Sequence, residues 1–338
     1  MHLLTFFTKL LHFLPSEASH NLGLRSLKLL HDLGILKLFF KPFLGLKASK
    51  IEHKHESQHF LSKFPNKLGI AAGLDKNGDY IDTLSDLCVG FIEVGTVTPK
   101  PQKGNTRPRL FRDTNNLALV NRMGFNNKGV DYLISKLKKR KSNIPIGISI
   151  GKNFDTSIDK AYEDYMICLK KVYKYADYIA VNISSPNTEN LRDLSSGNYF
   201  DALLFKLKKL QTEMSYEHGY RPLFIKISPD EKTEKIQQIC ESITKNSIDG
   251  IICTNTSVDH DGQFGSGGIS GKPLMIPSTN ILRKVRSLMG EEFPIIASGG
   301  VTNALDYQNK INSGANLVQI YTGFIFKGPQ LIYDILKL

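Results

Sequence analysis

The chain has 338 residues, 41% hydrophobic and 22% charged, with 44 Lys and Arg against 32 Asp and Glu for a formal net charge of +12. This composition excludes a disordered chain or a fibre and fits a globular protein with a large core, in one barrel or two to three smaller domains. Cys88, Cys168, Cys240 and Cys253 form no CxxC pair, which argues against a zinc ribbon or disulfide scaffold and for a reducing compartment. The basic balance points to an anionic partner: a membrane surface, nucleic acid or a phosphorylated ligand.

Residues 1–60 stand apart. They hold seven of the nine histidines and eight Lys or Arg against four Asp or Glu. Leu3, Phe6, Phe7, Leu10, Leu11 and Leu14 recur at spacings of three and four and form one helical face. Pro15-Ser16 ends that helix and starts a second, which carries Leu22, Leu29, Leu30 and Leu33 and ends near Gly34. Two such helices either lie in a membrane interface or pack on the main domain. No apolar run of about 18 residues occurs. Lys9 falls inside the early apolar stretch, which speaks against a cleaved secretion signal. The histidines lack metal-ligand spacing, and His53 and His55 alternate in a polar loop.

From residue 68 a rhythm sets in. Short Ile- and Val-rich runs occur at Leu68–Ala72, Gly90–Val94, Ile144–Ile150, Tyr178–Ile183, Leu223–Ile227, Gly250–Cys253, Pro294–Ala297 and Leu317–Tyr321. Between them lie helix candidates at Gly129–Lys139, Ser157–Tyr175, Lys232–Asn246 and Ser278–Met289. Strands alternating with helices imply parallel pairing, and eight repeats over ~270 residues is the count of a (β/α)8 barrel. The expected organisation is α/β: a helical extension over residues 1–60 and a barrel over 61–338.

A barrel of this kind builds its site at the carboxyl ends of its strands. Polar residues cluster there: Ala72 through Gly78, Gly95-Thr96, Ser149 through Asn153, Asn182 through Thr188, Lys226, Thr254 through Thr256, Ser298 through Gly300, and Tyr321 through Gly323. The set holds no paired carboxylates, no metal-ligand cluster and no Ser-His-Asp combination. Amides, hydroxyls, glycines and lysines suit a planar, hydrogen-bond-rich heterocycle such as a pyrimidine or flavin. Glycines after the last two strands let backbone N–H groups approach a phosphate. Lys226 would rise inside the barrel with no carboxylate beside it in sequence. A buried lysine needs an anionic partner, which a flavin carrying charge after reduction supplies.

The chain resembles the class 2, quinone-reducing dihydroorotate dehydrogenases. The resemblance rests on AAGLDKNG at 71–78, IEVGTVTPKPQ at 92–102, NRMGFNNKGVD at 121–131, VNISSPNT at 181–188, TNT at 254–256 and LVQIYTGFIFKGP at 317–329. The basic N-terminal extension separates class 2 from the shorter soluble class 1. The resemblance implies FMN as cofactor, dihydroorotate as substrate, orotate as product and a membrane quinone as acceptor. It also implies a peripheral position on the cytoplasmic side of the cell membrane, with no metal and no nucleic acid.

Carried onto this sequence, it places FMN contacts on Ala72, Gly73, Leu74, Asp75, Lys76, Thr96, Asn182, Lys226, Thr254, Gly271, Gly300, Tyr321 and Thr322. Ser149 stands where the family has a flavin-contacting Asn, and its shorter hydroxyl cannot present an amide's two donors. Substrate contacts fall on Lys76, Asn121, Arg122, Met123, Gly124, Phe125, Asn182, Asn187, Asn255 and Thr256. Ser185 takes the role of base, with Thr188 or water passing the proton on. His20 and Arg112 fall near the quinone path. A tRNA-dihydrouridine synthase is the alternative flavoenzyme, but such enzymes add an RNA-binding domain and use a Cys acid. A basic binding module without enzymatic activity is the third reading, and a flavin spectrum would separate it from both enzymes.

Overall fold

The structure, a computed structural model, describes residues 2–44, 56–188, 191–195 and 197–338. His53 and His55 lie outside the described residues, as do the side chains of Leu3 and Phe6. In chain order the strands are β1 (Leu68–Ile70), β2 (Phe91–Val97), β3 (Leu110–Asp113), β4 (Ala118–Asn121), β5 (Ile146–Ile150), β6 (Tyr178–Asn182), β7 (Leu223–Ile227), β8 (Gly250–Cys253), β9 (Gly268–Gly271), β10 (Ile295–Ser298) and β11 (Leu317–Ile320). Eight of them close into a parallel barrel in the order β1, β2, β5, β6, β7, β8, β10, β11 and back to β1. Each matches one of the eight apolar runs of the sequence. Strands this short and this apolar need cover on both faces, which is the condition of an all-parallel sheet.

Side chains alternate across each strand. Ile92, Ile148, Ile179, Ile225 and Val318 face the surrounding helices and join the outer core. Phe91, Tyr178, Phe224, Ile252, Ile296 and Leu317 form a second, separate core. Leu61 and Phe64, at the end of a 3-10 helix over Glu56–Lys63, plug it from below. The Phe64 and Phe91 rings meet edge to face at 5.3 Å, and those of Phe60 and Phe224 at 5.5 Å. This inner layer leaves no room for side chains beside it. A Cβ added to Gly69, Gly147 or Gly250 would lie 2.4, 2.1 or 2.2 Å from the ring of Phe91, Tyr178 or Phe224. Those same residues are the register partners across β1–β2, β5–β6 and β7–β8.

Strands β3, β4 and β9 form a small antiparallel sheet that the apolar rhythm does not announce. Each is four residues long, and LFRD, ALVN and GISG alternate too briefly to register as strands. Leu110, Leu119, Asn121, Ser270 and Gly271 of this sheet border the cavity at the carboxyl ends of the barrel strands, so the sheet roofs that end.

The N-terminal segment contains α1 (His2–Leu11), α2 (Ser16–Asp32) and α3 (Ile35–Leu44), one helix more than its pattern indicates. Gly34, at φ +72, turns the chain from α2 into α3. These helices pack on the main domain through part of their apolar surface and leave part of it exposed. Leu24, Leu36 and Phe40 are buried in the outer core. Phe7, Phe13, Leu22, Leu29, Leu33 and Leu38 are exposed, Phe13 by 88%. Polar contacts tie the segment down: Arg109 Nη2 donates to Glu17 Oε1 at 2.8 Å, and Arg112 Nη1 to the His12 carbonyl at 2.8 Å. No helix among the described residues is long and apolar enough to cross a membrane.

Gly147→Ala tests the filled barrel interior. Its Cβ would sit 2.1 Å from Tyr178 Cζ in a layer with no slack. The expected loss is about 1–3 kcal/mol of stability, the usual cost of overpacking. It should appear as a lower urea midpoint with an unchanged slope.

Candidate active site

The alternation that packs rings into the lower barrel puts polar groups above them. Two residues beyond Phe91, Phe224 and Leu317 come Glu93, Lys226 and Gln319, and four beyond Tyr178 comes Asn182. Lys226, Gln319 and Asn182 border a cavity at the carboxyl ends of the strands.

Most of the residues singled out from the sequence meet in this cavity. Ala72, Gly73, Lys76, Thr96, Thr254, Gly271, Gly300, Tyr321 and Thr322 line it, as do Asn121, Met123, Gly124, Phe125, Asn187, Asn255, Thr256 and Ser185. Four do not. Ser149 lies behind Thr96, their hydroxyls 2.8 Å apart. Asp75 is buried and accepts from the backbone N–H groups of Asp79 (2.9 Å) and Tyr80 (2.7 Å), so it shapes the loop. Burial pushes its carboxyl up to about 6, against the pull of those N–H groups. Arg122 follows Asn121 at the end of β4 and therefore points the other way. Its guanidinium lies 4.7 Å from the Phe111 ring centroid and donates to the Phe264 carbonyl at 2.7 Å. Leu74 lines a different cavity, described below.

Hydrogen bonds hold the cavity's amides in place. Asn182 Nδ2 donates to Thr96 Oγ1 at 2.9 Å, and its Oδ1 accepts from Asn255 Nδ2 at 3.1 Å. Asn187 Nδ2 donates to Asn121 Oδ1 at 3.0 Å, and Asn121 Nδ2 to the Gly268 carbonyl at 3.1 Å. Ser185 is buried in the lining of the same cavity, and its Oγ accepts from the Asn187 backbone N–H at 3.3 Å. Thr188, also buried, stands three residues on. Gly299 and Gly300 take φ of +111 and +89, conformations open to glycine and strained for other residues. Cys168 and Cys253 are buried in the outer core, away from the cavity.

Beneath the cavity floor lies a group the sequence reading does not single out. Glu93, fully buried, lies 3.9 Å from Lys226 Nζ through Oε1. Its Oε2 accepts from the Tyr178 hydroxyl at 2.8 Å and from Gln319 Nε2 at 2.7 Å. Lys226 thus has an internal carboxylate despite having none nearby in sequence. The signal was there: Glu93 follows Phe91 by two in a strand whose other positions are apolar or small. Gln319 Oε1 is buried without a hydrogen-bond partner. At the rim, Lys76 Nζ lies 3.3 Å from the Gly73 carbonyl. Burial, helped by the Arg109 guanidinium, pushes its ammonium down to about 8.

A second cavity of about 490 Å³ opens between α1, α2 and the barrel. Its walls are apolar: Phe7, Leu11, Leu24, Leu27, Leu30, Phe39, Leu74, Phe324 and Ile325 among them. Among the described residues, His20 is its one ionisable side chain. Burial and the nearby Lys76 ammonium push its imidazole down to about 4, although the Leu74 carbonyl opposes the shift, so the ring is neutral at pH 7. Its Nδ1 has no partner. Arg112 does not line this cavity and instead braces the turn between α1 and α2. Among the described residues no cluster of His, Cys, Asp and Glu could hold a metal ion.

A family model described as dihydroorotate dehydrogenase matches residues 56–338. Among curated proteins, a dihydroorotate dehydrogenase (quinone) of Vibrio atlanticus is 52% identical over 318 residues, covering 91% of this chain and 94% of the relative. The protein of that name from Shewanella loihica is 45% identical over 334 residues, covering 97% and 95%. Among solved structures, the Eimeria tenella enzyme in complex with ferulenol aligns with a TM-score of 0.76 at 32% identity, covering 81% of this chain and 80% of that one. The chain belongs to the dihydroorotate dehydrogenase family.

Proposed function

We propose that this chain oxidises dihydroorotate to orotate with FMN in the polar cavity, and that a quinone in the apolar cavity takes the electrons. One observation carries the reading: a single segment walls both cavities. Ala72, Gly73 and Lys76 face the polar one, and Leu74 between them faces the apolar one. A reaction that oxidises a polar ring and reduces a lipid-soluble one needs such a pair of sites.

The residues present fit FMN. Lys226 offers a buried cation, Gln319 Oε1 an unpartnered acceptor, and Asn182, Thr96 and Thr254 mixed donors and acceptors around the same floor. Gly300, Thr322 and Gly323 border the cavity with backbone that a phosphate can approach. When bound, FMN accepts hydride from the substrate and passes electrons on to the quinone.

The rest is done by this chain. Lys76 holds the substrate carboxylate. Asn121, Asn187, Asn182 and Asn255, each fixed by a neighbour, orient its ring. Ser185 takes the proton from C5 as hydride leaves C6. The Asn187 N–H on Ser185 Oγ favours the oxygen as it gains negative character, and Thr188 or water carries the proton away. Neutral His20, with a free ring nitrogen in an apolar cavity, offers the quinone its polar contact. The exposed apolar face of α1, α2 and α3, on a basic chain, would rest on an anionic membrane surface at the cytoplasmic side. Residues 1–60 then serve the quinone and the barrel serves the flavin.

Four outcomes test this reading. Anaerobic dihydroorotate should bleach the bound flavin of the native protein, and quinone should restore its colour. Gly23→Phe, which fills the apolar cavity between α1 and α2, should slow the second step by roughly tenfold or more, about 1.4 kcal/mol of barrier, and leave the first near native. Equal effects on both steps would reject the division of labour.

Ser185→Ala should keep the fold, the flavin and orotate binding. Flavin reduction by dihydroorotate should slow by ~10²–10⁴-fold, the usual worth of a positioned base. A stopped-flow rate within a few-fold of native removes Ser185 from that role.

Lys76 is cationic below its value of about 8 and neutral above it. Orotate affinity should therefore hold from neutral pH up to about 8 and then fall about tenfold per pH unit. Lys76→Met should bind weakly at every pH. A native affinity that is flat through pH 8 separates Lys76 from the carboxylate.

A further inference from the structure

The floor of the polar cavity carries more chemistry than holding a ring requires. Glu93 lies in the barrel interior with no exposure to solvent, on β2, which also supplies Thr96 to the cavity. Its Oε2 is fully used by the Tyr178 hydroxyl and the Gln319 amide. Its Oε1 makes no hydrogen bond and faces Lys226 Nζ at 3.9 Å. The groups packed around this carboxylate are Tyr178 of β6, Lys226 of β7 and Gln319 of β11, with Asp177 behind Tyr178. Lys226 is the only cation among them. A carboxylate is costly to enclose in a barrel otherwise filled with rings, and a neutral amide would make the same two hydrogen bonds at far lower cost.

We infer that Glu93 is a positioning residue: from beneath the floor it keeps Lys226 charged before the ring above is reduced, and so fixes how many protons accompany the electrons. This rests on the reading of the polar cavity as the flavin site.

Two electrons and one proton enter the ring together, arriving as hydride from the substrate or separately from an electrode and water, and leave the ring with one negative charge. A flavin held in this cavity would have the Lys226 side chain available as a counter-ion to that charge. Burial pushes its ammonium below the usual lysine range, and the Glu93 carboxylate opposes the shift. On this inference Lys226 is already protonated with Glu93 in place, so reduction at an electrode draws one proton in total from solvent. The same inference requires that, without that carboxylate, burial leaves Lys226 neutral over the oxidised ring. The negative charge then pulls a second proton onto its amine as the ring is reduced. Tyr178 does not compete as the proton source, because burial and the adjacent Glu93 carboxylate hold its hydroxyl well above the ordinary tyrosine value.

The measurement is the midpoint potential of the flavin-loaded protein against pH, with mediators and an electrode. The native slope should correspond to one proton per two electrons. In Glu93→Gln, which keeps the shape and both hydrogen-bond partners, the slope across neutral pH should double. Adding Lys226→Met to Glu93→Gln should return the slope to the single-proton value. A structural role for Glu93 would lower stability and leave the slope alone, so a native slope in a flavin-loaded Glu93→Gln overturns the inference. Should that variant fail to fold, proton uptake by the native protein on reduction at an electrode, followed with an indicator dye in weak buffer, decides the matter. One proton supports a Lys226 already charged, and two overturn it. Native protein that binds no FMN at all would instead reject the reading of the cavity, a separate outcome.

Discussion

Filling the inside of the barrel is the constraint from which the site follows. A closed ring of eight strands encloses a column that must be packed to solid density or left as a void. Here the lower part is filled by Phe91, Tyr178, Phe224 and their aliphatic neighbours, plugged from below by Leu61 and Phe64. Because side chains alternate with period two, the strands that point rings inward at one level must point inward again at the next. That next level holds Glu93, Lys226 and Gln319. The height of the polar floor is therefore set by the aromatic layer under it. The asparagines and hydroxyls above inherit their positions from the same registers.

The N-terminal helices solve a different problem. A helix that only packed on the barrel would show one apolar face, and one that only lay on a membrane would leave the barrel uncontacted. These helices are apolar on two sides. Leu24, Leu36 and Phe40 belong to the protein core, while Leu22 and Leu38 face outward. Between the two sides lies the apolar cavity. The helices thus act as spacers: they stand off the barrel far enough to leave a chamber, held by contacts such as Arg109–Glu17 and His31–Asp86.

How much of this could be read from the sequence depended on the range of the interaction. The eight barrel strands were legible because each is a compact apolar run bounded by polar turns, and the cavity lining followed from the rule that barrels place their sites at strand ends. Ser185, Asn187 and Asn255 stand out in short motifs. What was hidden depends on contacts across the chain. The sheet of β3, β4 and β9 joins segments nearly 150 residues apart, and Asn121 meets Gly268 only in the fold. Glu93 reads as a stray charge in an apolar strand until β7 brings Lys226 beside it. Arg122 sits in a motif whose neighbours all face the cavity, and only the alternation at the end of β4 turns it away. Helix α3 escaped because ILKLFFKPFL contains Pro42, which argues against a helix on local grounds although tertiary packing keeps one.

The three glycine–aromatic contacts at the base of the barrel link pairs of sequence positions. Gly69 lies opposite Phe91, Gly147 opposite Tyr178 and Gly250 opposite Phe224, each across one rung of a parallel ladder. In every pair one strand gives up its side chain so that the other can spend the whole space on a ring. Changing the glycine alone collides with the ring, and shrinking the ring alone opens a void. An exchange of both, with the ring moving to the opposite strand, conserves volume. Such barrels should drift through sequence space by paired steps at these rungs, so a statistical coupling between neighbouring strands here would record the shape of the barrel interior, independent of the chemistry performed above it.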